Sequence, residues 1–127
     1  MTFMMTHTTT LAEDTVAAQL KAYNARNIDA FMACWHPEAE IYAHPDEILA
    51  HGHAQIRARH ALRFEEPNLY AELLSRIALG DTQVVDRERV TRTMEGRKVQ
   101  LDVVAIYDVR DGLIRRAWFL SGTPRDI

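Results

Sequence analysis

Cysteine occurs once in this 127-residue chain, at Cys34, so no disulfide can form within it and the disulfide-stapled class of small secreted domains is excluded. With Phe31 and Trp35 as neighbours, that thiol reads as a packed side chain rather than a nucleophile. No apolar run approaches the roughly eighteen residues that a helix needs to cross a bilayer, so no membrane partner is expected. Positive charge is not in excess either. Fifteen Lys and Arg against 18 Asp and Glu leave a net charge of −3, with no basic footprint for nucleic acid and no run of like charges for an interaction tail. Glycine-rich phosphate loops, Walker patterns, catalytic-triad motifs, internal repeats and low-complexity segments are missing, and phosphoryl transfer and serine hydrolysis therefore have no support. The opening MTFMMTHTTT lacks the basic region, apolar run and small-residue cleavage site of a signal peptide; a flexible start over residues 1–10 and a cytoplasmic location are the expectation.

What is present suits one globular domain over residues 11–127. Apolar residues at 47% and charged residues at 26% are ordinary values, and a chain of this length buries roughly two thirds of the surface its unfolded form exposes. From Leu11 to Ala25, the positions Leu11, Val16, Leu20 and Tyr23 keep helical spacing, and Thr10 with Glu13 three residues later makes a capping-box pattern. Asn27 caps a second helix whose buried side is Ile28, Phe31, Met32 and Trp35, and Pro37 stops it. Ala39 to Ala43 alternates as a short strand that His44-Pro45 ends. A His-rich loop follows with Asp46, Glu47, His51, Gly52 and His53; then Ala54 to Phe64 returns to helix, with three arginines on its outer face.

Beyond Pro67 everything reads as strand: Leu69 to Leu79, Thr82 to Met94, and a long hairpin from Arg97 to Ser121. The hairpin turns at Asp111-Gly112, a pair that supplies the positive φ angles a two-residue turn demands. Along Val99, Leu101, Val103, Ala105 and Tyr107 one face is apolar, while Gln100, Asp102, Val104, Ile106 and Asp108 make a mixed second face. These strands predict a curved antiparallel sheet with helices over its concave face.

The order helix, helix, strand, helix and four long strands, together with several local stretches, resembles the nuclear transport factor 2-like superfamily in its ketosteroid isomerase and polyketide-cyclase (SnoaL-like) branch. The stretches are Asn24-Ala25-Arg26-Asn27-Ile28-Asp29 followed by Phe31 and Trp35, then His36 to Ile41, then His51-Gly52 with Ile56, and finally Tyr107 to Val109 with Asp111 to Ile114. They span nearly the whole chain. The resemblance implies an α+β domain, a cone-shaped, strongly bent, mostly antiparallel sheet with three helices enclosing a cavity. It also implies a homodimer paired through the outer face of the sheet, and Val104, Ile106, Trp118 and Leu120 fit that, since strand alternation keeps them from all facing one pocket.

In ketosteroid isomerase a base carboxylate precedes the proline at the end of the first strand, and a tyrosine on helix one and a protonated aspartate on the penultimate strand hold the oxyanion. Laid onto this chain by spacing, those positions are His44, Gln19 and Ala105, and the residue type differs at all three. His44 still suits the base position, because an imidazole takes and returns protons near neutral pH. Asp46, Asp86 or Glu88 are its candidate partners, with Asp86 preferred. Tyr23 and Tyr42 are candidate donors to a developing oxyanion, and Gln19, one helical turn before Tyr23, is a weaker one. His51, His53 and His60 invite a metal reading, but no third ligand has a recognisable spacing and no metal is expected. In the strand around Asp86-Arg87-Glu88-Arg89, the two carboxylates share one face, and the sequence leaves open which of them enters the cavity.

The expected function is an acid–base enzyme that needs no cofactor, of steroid-isomerase, cyclase or dehydratase type, acting on a small, mostly apolar carbonyl metabolite. His44, Tyr23 and Asp86 would be catalytic, and Gln19, Tyr42, His60, Phe64, Ala105 and Trp118 would bind substrate. The alternative is a non-catalytic small-molecule-binding or structural dimer module of the same fold.

Overall fold

The computed structural model describes residues 9–127. Most of the start expected to be flexible, residues 1–8, lies outside the described residues. Helix α1 spans Leu11–Ala25 and α2 Ile28–Met32; strands β1 and β2 cover Trp35–Ala43 and Glu47–His51; α3 spans Gly52–Arg63. Strands β3 to β7 follow at Tyr70–Leu79, Gln83–Met94, Arg97–Arg110, Leu113–Ser121 and Arg125–Asp126. The sheet order is β2-β1-β6-β5-β4-β3, with β7 beside β5. Among the described residues only the β1–β6 pair is parallel, so the architecture is an α+β domain built on one mostly antiparallel, curled and unclosed sheet.

Local chemistry explains the element ends. The Thr10 hydroxyl accepts from the Glu13 amide and the Glu13 carboxylate accepts from the Thr10 amide, a reciprocal cap on α1. Asp111 and Gly112 both have positive φ, 53° and 75°, as do Glu95 and Gly96 at 51° and 75°; these are the backbone angles of two-residue hairpin turns whose twist matches that of the strands. At the far end of α1, Asn24 clasps β3 by donating to the Ala71 carbonyl and accepting from the Ala71 amide, both at 2.9 Å.

Three boundaries differ from the sequence expectation. Helix α2 stops at Met32 rather than running to Trp35, because the Cys34 amide bonds back to Phe31 and the Cys34 carbonyl accepts from Ile114, which commits the chain to the sheet. Strand β1 therefore begins at Trp35 and carries Pro37 through an irregular stretch of the β1–β6 pairing, where no ladder bond is lost. Part of the segment read as a His-rich loop is strand β2, folded back on β1 through the cis His44-Pro45 bond, and α3 starts at Gly52, not Ala54.

The concave face holds the main core: Val16, Phe31, Trp35, Ile41, Ile56, Val84, Tyr107, Val109 and Ile114 are fully or almost fully buried. Cys34 is buried within it. A smaller cluster, Ala71, Val90, Leu101 and Val103, lies further along the same face. Pairing registers align six apolar side chains across the opposite, convex face: Ile48, Tyr42, Trp118, Ile106, Val85 and Ile77. Ile48 and Ile77 are more than half exposed.

Candidate active site

Alternation along the strands selects what faces inward. On β4 the buried positions are Val84, Asp86, Glu88 and Val90, and on β5 Val99 through Val109 at every second residue. Helix α1 lays Gln19, Leu20 and Tyr23 over this surface, and α3 adds Arg59, His60 and Arg63. Between them is a cavity of about 220 Å³. Its apolar wall includes Leu20, Leu49, Val90, Leu101, Val103 and Phe119; its polar groups are Gln19, Tyr23, His60, Glu88 and Tyr107, with the half-buried Arg59, Arg63 and Arg92 and the exposed Ser121.

Glu88 is the chemically distinctive member. It is 5% exposed, lines the cavity, and no hydrogen bond from the described residues reaches its carboxylate. Burial, and then the charge of Asp86 two residues away on the same strand face, push its pKa up to about 7, with Arg76 opposing. Asp86 itself is fully buried, but its two oxygens are taken by Arg76 in a bidentate pair, Nε to Oδ1 at 2.7 Å and Nη2 to Oδ2 at 2.9 Å. One carboxylate is thus locked in a structural pair while its neighbour is left titratable and facing empty space.

The groups around Glu88 have defined protonation. Burial above all raises the Tyr107 phenol well above its ordinary value, the charges of Glu88 and Asp86 add to this and Gln19 opposes it. Burial raises Tyr23 as well, against the nearby Arg63 guanidinium. Both hydroxyls therefore keep their protons at neutral pH and act as donors. His60 is pushed the other way, down to about 4, mainly by burial, and it stays neutral. Its Nδ1 lies 2.8 Å from the Ile56 carbonyl, which can only accept, so the proton sits on Nδ1 and Nε2 presents a lone pair.

The structure brings together Gln19, Tyr23 and His60 of the residues picked from sequence. It does not assemble them with His44. Ile41 and Ala43 line the cavity, so by alternation His44 turns away from it and is exposed, its amide bonded to Phe119. Asp86 faces Arg76 instead of orienting an imidazole. Tyr42 and Trp118 stack on each other on the convex face, centroids 5.8 Å apart and 14° from parallel, outside the cavity. Phe64 packs edge-on behind Tyr23 at 5.4 Å, and Ala105 is buried in the core; neither reaches the lining. His53 is bonded to the Trp35 carbonyl and His51 is paired with Glu38, and no group of three or more metal-ligating side chains occurs among the described residues.

Tyr107, Arg59, Arg63 and Arg92 are what sequence reasoning missed, while Glu88 is one of the two carboxylates between which it left the cavity position open. Glu88 shares parity with Val84 and Val90, an inward-facing signature, whereas the odd positions Arg87, Arg89 and Thr91 are polar. Arg59 and Arg63 sit at the same helical stripe as Ile56 and His60, so they turn toward the cavity, and only Arg57 of the three is truly outward, paired with Asp29.

The SnoaL-like domain family matches residues 16–117, and the chain belongs to it. An uncharacterised cystatin-fold protein from Novosphingobium aromaticivorans superposes with a TM-score of 0.78 at 26% identity, over 89% of this chain and 99% of that one. A SnoaL-like polyketide cyclase from Agrobacterium tumefaciens gives 0.74 at 21%, over 91% and 94%. A hypothetical protein with a ketosteroid isomerase-like fold from Catenulispora acidiphila, solved with trimethylamine, gives 0.74 at 16%, over 88% and 86%. No curated protein matches the chain. The nuclear transport factor 2-like fold expected from sequence is thus the observed one.

Proposed function

We propose that the chain is an acid–base enzyme that moves a proton at a carbon next to a carbonyl, with Glu88 as the base and Tyr107 and Tyr23 as donors to the carbonyl oxygen. The observation that carries this reading is an unpartnered carboxyl with a pKa of about 7, inside a small, part-apolar cavity that also presents two protonated phenols. A base is most effective when its pKa lies near the working pH, and burial with one fixed like charge is how a carboxyl reaches that range. In the reaction, the Glu88 carboxylate takes the proton, the C–H electron pair moves into the carbonyl, and the resulting enolate oxygen is held by phenol O–H groups. Return of the proton to another carbon completes an isomerisation, loss of a neighbouring hydroxide completes a dehydration, and attack on a second carbonyl completes a cyclisation.

Solvent-exchange NMR tests it. Small ketones, enones and keto acids in deuterated buffer should exchange their activated hydrogens with the wild-type protein, and Glu88→Gln should slow this by about 10²-fold or more. The competing assignment of the base to His44 predicts the reverse, loss in His44→Ala with exchange intact in Glu88→Gln. Ligands that bind without exchange in any form of the protein would support a binding module instead.

We also infer that two copies pair through the convex face. The support is the aligned row Ile48, Tyr42, Trp118, Ile106, Val85 and Ile77, an apolar stripe of a kind that marks interfaces. Sedimentation equilibrium of wild type and Trp118→Glu tests it: dimer and monomer, respectively, are expected, and a monomeric wild type would refute it.

A further inference from the structure

The charge of the cavity runs against that of the chain. The whole sequence is at −3, yet the charged side chains lining the cavity are three arginines and the single carboxyl of Glu88. Two of the arginines have a partner. Glu66 takes Arg92 through both oxygens, at 3.2 and 2.6 Å, and lies 3.7 Å from Arg63. Arg59 has none: no carboxylate among the described residues comes within ion-pair distance of it, although Arg57, two positions earlier, pairs with Asp29 on the outside of the same helix. Arg59 is half-buried, lines the cavity, and stands close to two like charges.

A guanidinium held against the cavity wall with its fork unfilled is a binding element waiting for an anion. Its planar pair of N–H donors matches a carboxylate in two parallel hydrogen bonds, and the partly occupied Arg63 beside it adds charge without competing for the same oxygens. Apart from Gln19, Ser121 and Glu88, the rest of the lining is aliphatic or aromatic, and at about 220 Å³ the space lies below the roughly 300–1,000 Å³ of pockets for drug-sized molecules. Burial together with the charges of Arg63 and Arg92 lowers the Arg59 pKa, a repulsive arrangement that a bound anion would relieve.

We infer that the ligand of this cavity is a small organic acid, an apolar skeleton bearing a carboxylate that pairs with Arg59 and Arg63 while its carbon framework reaches in toward Glu88. The inference rests on the reading of the cavity as the reactive site and adds the substrate class, an acid that also carries the carbonyl. It predicts that neutral steroids and simple ketones are poorer ligands than acids of the same shape.

Calorimetric titration with 2-naphthoate and its uncharged amide, 2-naphthamide, tests this. Wild type is expected to prefer the acid by roughly tenfold or more, with the preference shrinking as salt is raised. Arg59→Met should bind the amide as wild type does, which shows the cavity intact, and lose the preference; Arg59→Lys should keep part of it. Inorganic phosphate can pair with the same guanidiniums but should compete only weakly, since it has no carbon skeleton to fill the apolar part of the wall. Equal binding of acid and amide by wild type, a preference that survives Arg59→Met unchanged, or no binding of either probe would each overturn the inference. Binding and exchange measured side by side on wild type separate the two claims. Acid preference with no exchange in wild type defeats the acid–base reading alone, and exchange of neutral ketones without acid preference defeats this inference alone.

Discussion

Replacing Glu88 by Gln should make the protein more stable, and only on the alkaline side. The folded carboxyl titrates at about 7 and the ordinary value is 4.5. Between those values the folded chain binds a proton that the unfolded chain has released, so stability falls as pH rises from about 4.5 to about 7. At about 1.4 kcal/mol per pH unit, that interval corresponds to a loss of about 3 kcal/mol, complete above the folded pKa. Gln keeps the shape and cannot ionise. Urea unfolding of both proteins across the pH range is the assay, because the difference between them cancels the titration of every distant group. Near pH 4 the two should be nearly equal, and from neutrality upward Glu88→Gln should be more stable by up to about 3 kcal/mol. A difference that does not vary with pH would refute the reasoning, since it would mean that the carboxyl ionises alike in both states. Stability given up at one cavity-facing carboxyl is what a functional site would require and a structural one would not.

His60 should show the mirror image. Its pKa drops from 6.5 to about 4 on folding, so it contributes stability that is present above 6.5 and lost as pH falls toward 4. In wild type this opposes the Glu88 slope over the shared window, and pH scans of Glu88→Gln should therefore expose an acid sensitivity that His60→Gln then removes. Arg76→Met strands the fully buried Asp86 and should cost about 3 kcal/mol or more in urea unfolding; because Arg76 is the charge opposing Asp86, it should also move the Glu88 titration further up. Tyr107→Phe should slow substrate exchange by on the order of a hundredfold while leaving acid binding in place, the signature of a donor that matters when charge develops on the oxygen.

The fold was legible because its determinants are local. Asp111-Gly112 and Glu95-Gly96 place their turns by backbone angle, Thr10 and Glu13 start α1 by reciprocal capping, and alternation from Val99 to Tyr107 sets the buried face of β5. What escaped was short or dictated from a distance. Strand β2 has five residues with no apolar alternation, and it is strand only because β1 supplies its partners. Helix α2 ends early because Ile114, far along the chain, bonds the Cys34 carbonyl. The site was half legible. Gln19, Tyr23 and His60 lie on helical stripes visible in sequence, but the case for His44 rests on its position before a proline, and alternation from Ile41 and Ala43 turns it outward. Which of Asp86 and Glu88 is free depends on Arg76, across the β3–β4 register, and no local pattern reveals that pairing.

The most direct test of the account is the titration of Glu88 itself, followed by carbon-13 NMR of carboxyl-labelled glutamate, with its resonance assigned by its disappearance in Glu88→Gln. A midpoint near 7 is predicted, moving when a small acid fills the cavity. A midpoint near 4.5, unmoved by ligand, would contradict the claim that this cavity is built around a poised carboxyl base.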